Sequence, residues 1–119
     1  MTLQPCPDSP NCVSTQADLS AGGHYMDPVR YEGTSTAVIE AIIDTVSSNG
    51  GKVVSSTETT VEALFVTKLM KFKDDVSFEV DDDAKLIHFR SASRSGHSDL
   101  GANRKRMDML LPRVLSRLG

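Results

Sequence analysis

Tryptophan is absent from these 119 residues, and aromatic side chains make up only 5% of them. That scarcity argues against a ligand cavity built from stacked rings. Positive charge is not in excess: 13 Lys and Arg stand against 16 Asp and Glu, a formal net charge of -3. The chain as a whole is therefore no electrostatic match for nucleic acid. No apolar run approaches the roughly 18–20 residues needed to cross a bilayer, and no secretion signal heads the chain as given. A chain trimmed to one domain would read the same way, so the compartment stays open. His24, His88 and His97 lack metal-ligand spacing, and no G-x-S-x-G turn is present. No metal or cofactor is expected.

Cysteine is nearly absent too, with Cys6 and Cys12 the two present. Pro7 and Pro10 lie between them and restrict the backbone. Three states are open to the pair: a disulfide closing that loop, free thiols in a reducing compartment, or two ligands of a metal. A disulfide would contribute roughly 2 kcal/mol by loop-entropy arithmetic. The metal reading is the poorest, because C-x5-C is not a standard zinc spacing and no second ligand pair follows.

What the chain does have is clear periodicity. Its length suits one compact domain with a core of useful size. Residues 1–33 are rich in Pro and Gly and read as a mostly irregular N-terminal arm, with a further short strand near 29–32 allowed. Residues 34–119 read as a single α+β domain. Val38, Ile39, Ile42, Ile43 and Val46 form one apolar stripe of a helix over 34–49, capped by Thr34 or Ser35 and stopped by Asn49-Gly50-Gly51. Strands are expected at 52–56, 61–69, 76–80 and 86–92, with a hairpin turn at 81–84. In the last strand, Ile87 and Phe89 should point inward and His88 and Arg90 outward. Met70 and Phe72 fall outside any strand pattern and read as groups folded over an open end of the core, or as a small apolar lip for a ligand or membrane surface. A closing helix is expected from Ser98 or Asp99, its face marked by Leu100, Met107, Leu111, Val114 and Leu118, with a kink or break at Pro112. Short sequential connections favour an antiparallel meander. The expected fold is a two-layer α+β sandwich, a four- or five-stranded antiparallel sheet with two helices on one face.

One stretch is chemically dense. Residues 88–106, HFRSASRSGHSDLGANRKR, hold four arginines, a lysine and four serines. Upstream, Asp74, Asp75, Glu79, Asp81, Asp82 and Asp83 form an opposed acidic block that can pair with it internally.

These features carry a family resemblance. Cys6-Pro7-Asp8-Ser9-Pro10-Asn11-Cys12-Val13-Ser14 resembles the opening motif of the domain of unknown function fourteen ninety-nine. Asp74-Asp75-Val76-x-Phe78 and Arg90-Ser91-Ala92-Ser93-Arg94-x-Gly96-x-Ser98-Asp99-Leu100-Gly101-x-Asn103-Arg104-x-Arg106 resemble its second half. The likeness runs from about residue 5 to residue 118. It implies a soluble domain found in bacteria and plastids, sometimes behind a membrane anchor or export signal, and implies no activity. Two departures stand out: Tyr31 where the family often has Trp, and Pro112.

Three roles for the polar stretch follow. In the first, Arg90 and Arg94 pair with Asp74 and Asp75 across strand ends, and Ser98 and Asn103 satisfy the 95–99 loop. The cluster Asp74, Asp75, Arg90, Ser91, Ser93, Arg94, Ser98, Asp99, Asn103 and Arg104 then closes the fold of a non-enzymatic binding or partner-interaction domain. In the second, the same region with Arg94 and Arg104 forms a site for phosphate or a lipid headgroup, although Asp99 would repel an anion. The third, a hydrolase, is the weakest. Ser98, His97 and Asp99 are close in sequence, but triads are recognised by geometry. Asp74 and Asp75 would need a bulged strand to share a proton. The partners expected are an unknown protein or a small anionic ligand. Nucleic acid is disfavoured, because the cationic stretch lacks interleaved aromatics.

Overall fold

The computed structural model describes residues 3–7, 11–18, 23–67, 71–94 and 101–118. In chain order its elements are β1 (Cys12–Ser14), β2 (Val29–Arg30), α1 (Ser35–Ser48), β3 (Lys52–Ser56), β4 (Thr60–Val66), β5 (Lys73–Asp81), β6 (Leu86–Ser93) and α2 (Ala102–Leu118). The four long strands form an antiparallel meander, β3-β4-β5-β6. Paired residues share a sheet face, and the register shows which side chains meet. Val61, Phe78 and Phe89 make one row; Ala63, Val76 and Ser91 make the next. Phe65, Asp74 and Ser93 complete that face.

Both helices cover it. α1 packs on β3, β4 and β5, α2 packs on β6 and β1, and the two helices touch each other. The apolar stripe of α1 buries Val38, Ile39, Ile42 and Val46. Burying such side chains supplies the stability that the helix's β-branched residues do not supply as intrinsic propensity. Thr34 caps α1 by accepting from the Ala37 N–H at 3.1 Å. At the other end Gly50 takes the left-handed conformation, φ 86°, and the Gly51 N–H closes on the Val46 carbonyl. Arg113 and Arg117 of α2 donate to Asn49 and Ser48, fastening the two helix ends together.

Three elements differ from expectation. Residues 1–33, read as mostly irregular with a short strand allowed near 29–32, contribute that strand as β2 and an unanticipated one as β1. β1 pairs with residues 90–92 and β2 with residues 86–87 on one edge of β6. They lie end to end and share one strand position, so six strands fill five places. β4 ends at Val66, short of the expected 69. Beyond it the Thr67 N–H donates to the Phe72 carbonyl and the Phe72 N–H to Thr67 Oγ1, which closes the connection, and Met70 lies outside the described residues. α2 is described from Ala102, and it continues unbroken through Pro112. Buried Leu110, Leu111 and Val114 on both sides of the proline hold the helix together there.

Candidate functional site

Asp74 and Asp75 follow Lys73 at the start of β5, and the pleat sends them to opposite faces. Asp74 turns toward the helices and is only 1% exposed. By register it lies beside Ser93, and Val76 lies beside Ser91. Asn103 and Arg106 are three apart on α2 and so share its sheet-facing side. The Arg106 guanidinium donates to Asp74 Oδ2 at 2.7 Å and to Asn103 Oδ1 at 2.9 Å. Ser91 Oγ donates to Asn103 Oδ1 at 2.5 Å. The Asn103 amide donates in turn to Ser93 Oγ and to the Asn11 carbonyl, each at 3.1 Å. The guanidinium also sits 4.9 Å from the centroid of the Phe65 ring. One buried network thus joins β5, β6, α2 and the entry to β1. Asp74 Oδ1 has no partner among the described residues.

The helix-free face carries the rest of the acidic pair. Arg94 meets Asp75 through two parallel bonds, Nε to Oδ2 and Nη2 to Oδ1, both 2.9 Å. That carboxylate raises the Arg94 pKa. Arg90 shares this face but pairs with neither aspartate. Its Nη2 donates to the Pro5 carbonyl at 3.3 Å, and burial lowers its pKa against the opposing pull of Asp75 and Glu62. Arg104 lies on another side of α2 and donates to the Gly23 and Tyr25 carbonyls at 2.7 and 3.0 Å.

Of the residues expected at one site, the fold therefore brings together Asp74, Ser91, Ser93 and Asn103. The expected pairing of Arg90 with Asp74 does not form, because alternation along β6 places Arg90 on the far side of the sheet. Asp75 and Arg94 also lie there, and Arg104 holds the arm. Ser98 and Asp99, expected to cap the helix or complete an anion loop, lie outside the described residues. Asp74's partner is Arg106, which the sequence reading left off its site. The available signal was helical: Asn103 and Arg106 are three residues apart, and Met107 and Leu110 continue that face.

Cys6 and Cys12 are joined as a disulfide, which settles the three states open to them. Cys12 is buried in β1 on the helix-free face, beside Ala92. The bridge holds residues 3–7 over that face, where Leu3 and Gln4 roof a hollow of about 220 Å³ with Glu62, Ser77 and Glu79. Replacing both cysteines with alanine is expected to cost about 2 kcal/mol. Urea unfolding under non-reducing conditions checks this, and an unchanged midpoint would show that the bridge does not restrain the chain.

His88 is also on this face. Its Nδ1 lies 2.9 Å from both Thr15 Oγ1 and Gln16 Nε2. The Gln16 amide nitrogen can only donate, so Nδ1 is the acceptor in that bond, which favours the neutral ring. Burial lowers the His88 pKa from its ordinary 6.5, with Asp81 and Glu79 opposing. The unfolded chain therefore binds a proton here more readily than the folded one. Stability from this group is present above pH 6.5 and is lost as pH falls through the folded pKa. The melting temperature is expected to drop on acidification below pH 6.5, less steeply in His88→Gln; equal slopes would contradict the assignment.

A cleft of about 420 Å³ opens between α2 and the segment leading into β2. Phe89, Met107 and Leu111 are the buried parts of its lining. Tyr25, Asp27, Arg104 and Asp108 supply the polar part, and Met26, Val29 and Pro112 complete the apolar wall. A hydrogen bond to Asp27 is the largest cause raising the Tyr25 pKa. No periodic signal marks this cleft, since its two walls are some 80 residues apart along the chain. Among the described residues, no group of three or more His, Cys, Asp or Glu is placed to hold a metal ion. No described helix is long and apolar enough to cross a membrane.

The protein is thus a two-layer α+β sandwich closed by a buried Asp–Arg–Asn–Ser network, with a disulfide-tied arm across its helix-free face. It belongs to the family described as protein of unknown function (DUF1499), which matches residues 2–114. No curated protein and no solved structure is significantly similar to the chain.

Proposed function

We propose that this protein is a non-enzymatic binding domain, in which the polar stretch closes the fold and the cleft beside α2 receives the ligand. The observation that carries this reading is the division of labour between the two. Arg94, Arg104 and Arg106 each donate to an acceptor within the chain, whereas the cleft combines an apolar floor with a polar rim. Its volume of about 420 Å³ falls within the roughly 300–1,000 Å³ typical of ligand pockets. Asp74 and Asp75 face opposite sides of β5, which weighs against a shared-proton dyad.

A small apolar probe, benzyl alcohol, tests the reading by NMR. It is expected to move the methyl resonances of Met26, Val29 and Leu111 selectively. Shifts scattered evenly over the surface would overturn the cleft. Inorganic phosphate is expected to leave the amides of residues 101–106 in place; saturable movement there at micromolar phosphate would make this an anion site instead. Turnover of p-nitrophenyl acetate or p-nitrophenyl phosphate that vanishes in Asp74→Asn would make the protein an enzyme.

A further inference from the structure

The polar groups around the cleft are biased toward acceptors. Asp27 and Asp108 each contribute a carboxylate to the lining and are exposed. Pro112 has no N–H, so the backbone carbonyl of Asp108, four residues earlier, lacks its usual helical donor on the same wall. The cation in the lining, Arg104, is turned to the Gly23 and Tyr25 carbonyls. The Tyr25 hydroxyl is directed to Asp27. Beneath these lone pairs lie Phe89, Met107 and Leu111.

An ammonium group is the chemical complement of such a rim: it carries donors and no acceptor. A carboxylate or phosphate would instead meet two carboxylates. We propose that the cleft binds a small organic cation, an amine on an apolar body of one or two rings, with Asp108 and Asp27 receiving the charged head. This rests on the cleft being the binding site, and it adds the class of ligand. Both carboxylates are exposed, so the charge contributes selectivity of several-fold, while the floor supplies the contact area.

Three probes with one apolar body separate the two claims: phenethylamine, 2-phenylethanol and phenylacetate, each titrated against the full chain at pH 7 while the Val29, Leu111 and Met107 methyls are followed. The amine is expected to bind about three- to fivefold more tightly than the alcohol, and phenylacetate least tightly. In Asp108→Asn the amine's advantage should shrink toward that of the alcohol, and alcohol binding should hold. Pro112→Ala, which gives the Asp108 carbonyl a helical donor, should reduce the advantage as well. If the alcohol moves the cleft methyls and the amine binds no better, or phenylacetate binds best, the ligand class is wrong and the cleft stands. If none of the three moves those methyls, the cleft reading falls with it. Amine binding that is unchanged in Asp108→Asn and Asp27→Asn would also overturn the assignment of the charged head.

Discussion

Arg106→Ala is expected to cost about 3–5 kcal/mol, roughly 10–20 °C in melting temperature for a domain of this size. The substitution leaves the Asp74 carboxylate, 1% exposed, without the cation that compensates it at 2.7 Å. Burying an unpaired charge is far more costly than the pair is stabilising. The same guanidinium also supplies a donor to Asn103 and lies over the Phe65 ring. Urea unfolding of the single variant measures the loss. The internal control is Asp74→Asn in the Arg106→Ala background, where a neutral amide should recover part of it. Arg94→Ala removes an ion pair with Asp75 in which both side chains are about half exposed, and it should barely move the midpoint. Similar losses for Arg94→Ala and Arg106→Ala would contradict the division between buried strut and solvated pair.

Pro112→Ala is expected to act in the opposite direction and stabilise the protein by about 1–3 kcal/mol. A proline inside a helix costs about 3 kcal/mol relative to alanine. Its stiffening of the unfolded chain returns about 0.4–1 kcal/mol of that. The side chain is exposed, so the substitution removes little packing. A rise in urea midpoint with an unchanged slope supports this, and a fall would mean that the proline ring packs usefully against the cleft. The same substitution is expected to weaken amine selectivity. Such a trade between stability and binding is common where a local rule of helix construction is broken beside a site.

Much of the architecture was legible because it depends on neighbours along the chain. The stripe of Val38, Ile39, Ile42 and Val46 and the cap at Thr34 needed only helical spacing. The alternation of Val61, Ala63 and Phe65, and of Val76, Phe78 and Val80, needed only the strand period. The inward turn of Ile87 and Phe89 followed in the same way. β1 was not legible: three residues are too few to show a period, and Cys12, Val13 and Ser14 are all buried. Their strand character comes from pairing with residues 90–92 of β6, nearly 80 positions away. The unbroken passage of α2 through Pro112 was illegible for a similar reason, since the contacts that hold the helix lie outside its own sequence.

By itself, the order of residues determined the fold class, the faces of α1 and the central strands, the density of polar groups in 88–106 and membership of the family. Only the tertiary structure decided how that density is divided. Strand pleating sends Asp74 and Asp75, and likewise Arg90 and Ser91, to opposite sides of the sheet. Docking of α2 then selects Arg106 for Asp74, places Arg104 on the arm and opens the cleft beside Pro112. Charge composition states how many partners exist, but a hydrogen bond acts over about 3 Å. Which groups come within that reach is set by register and by the seating of the helix.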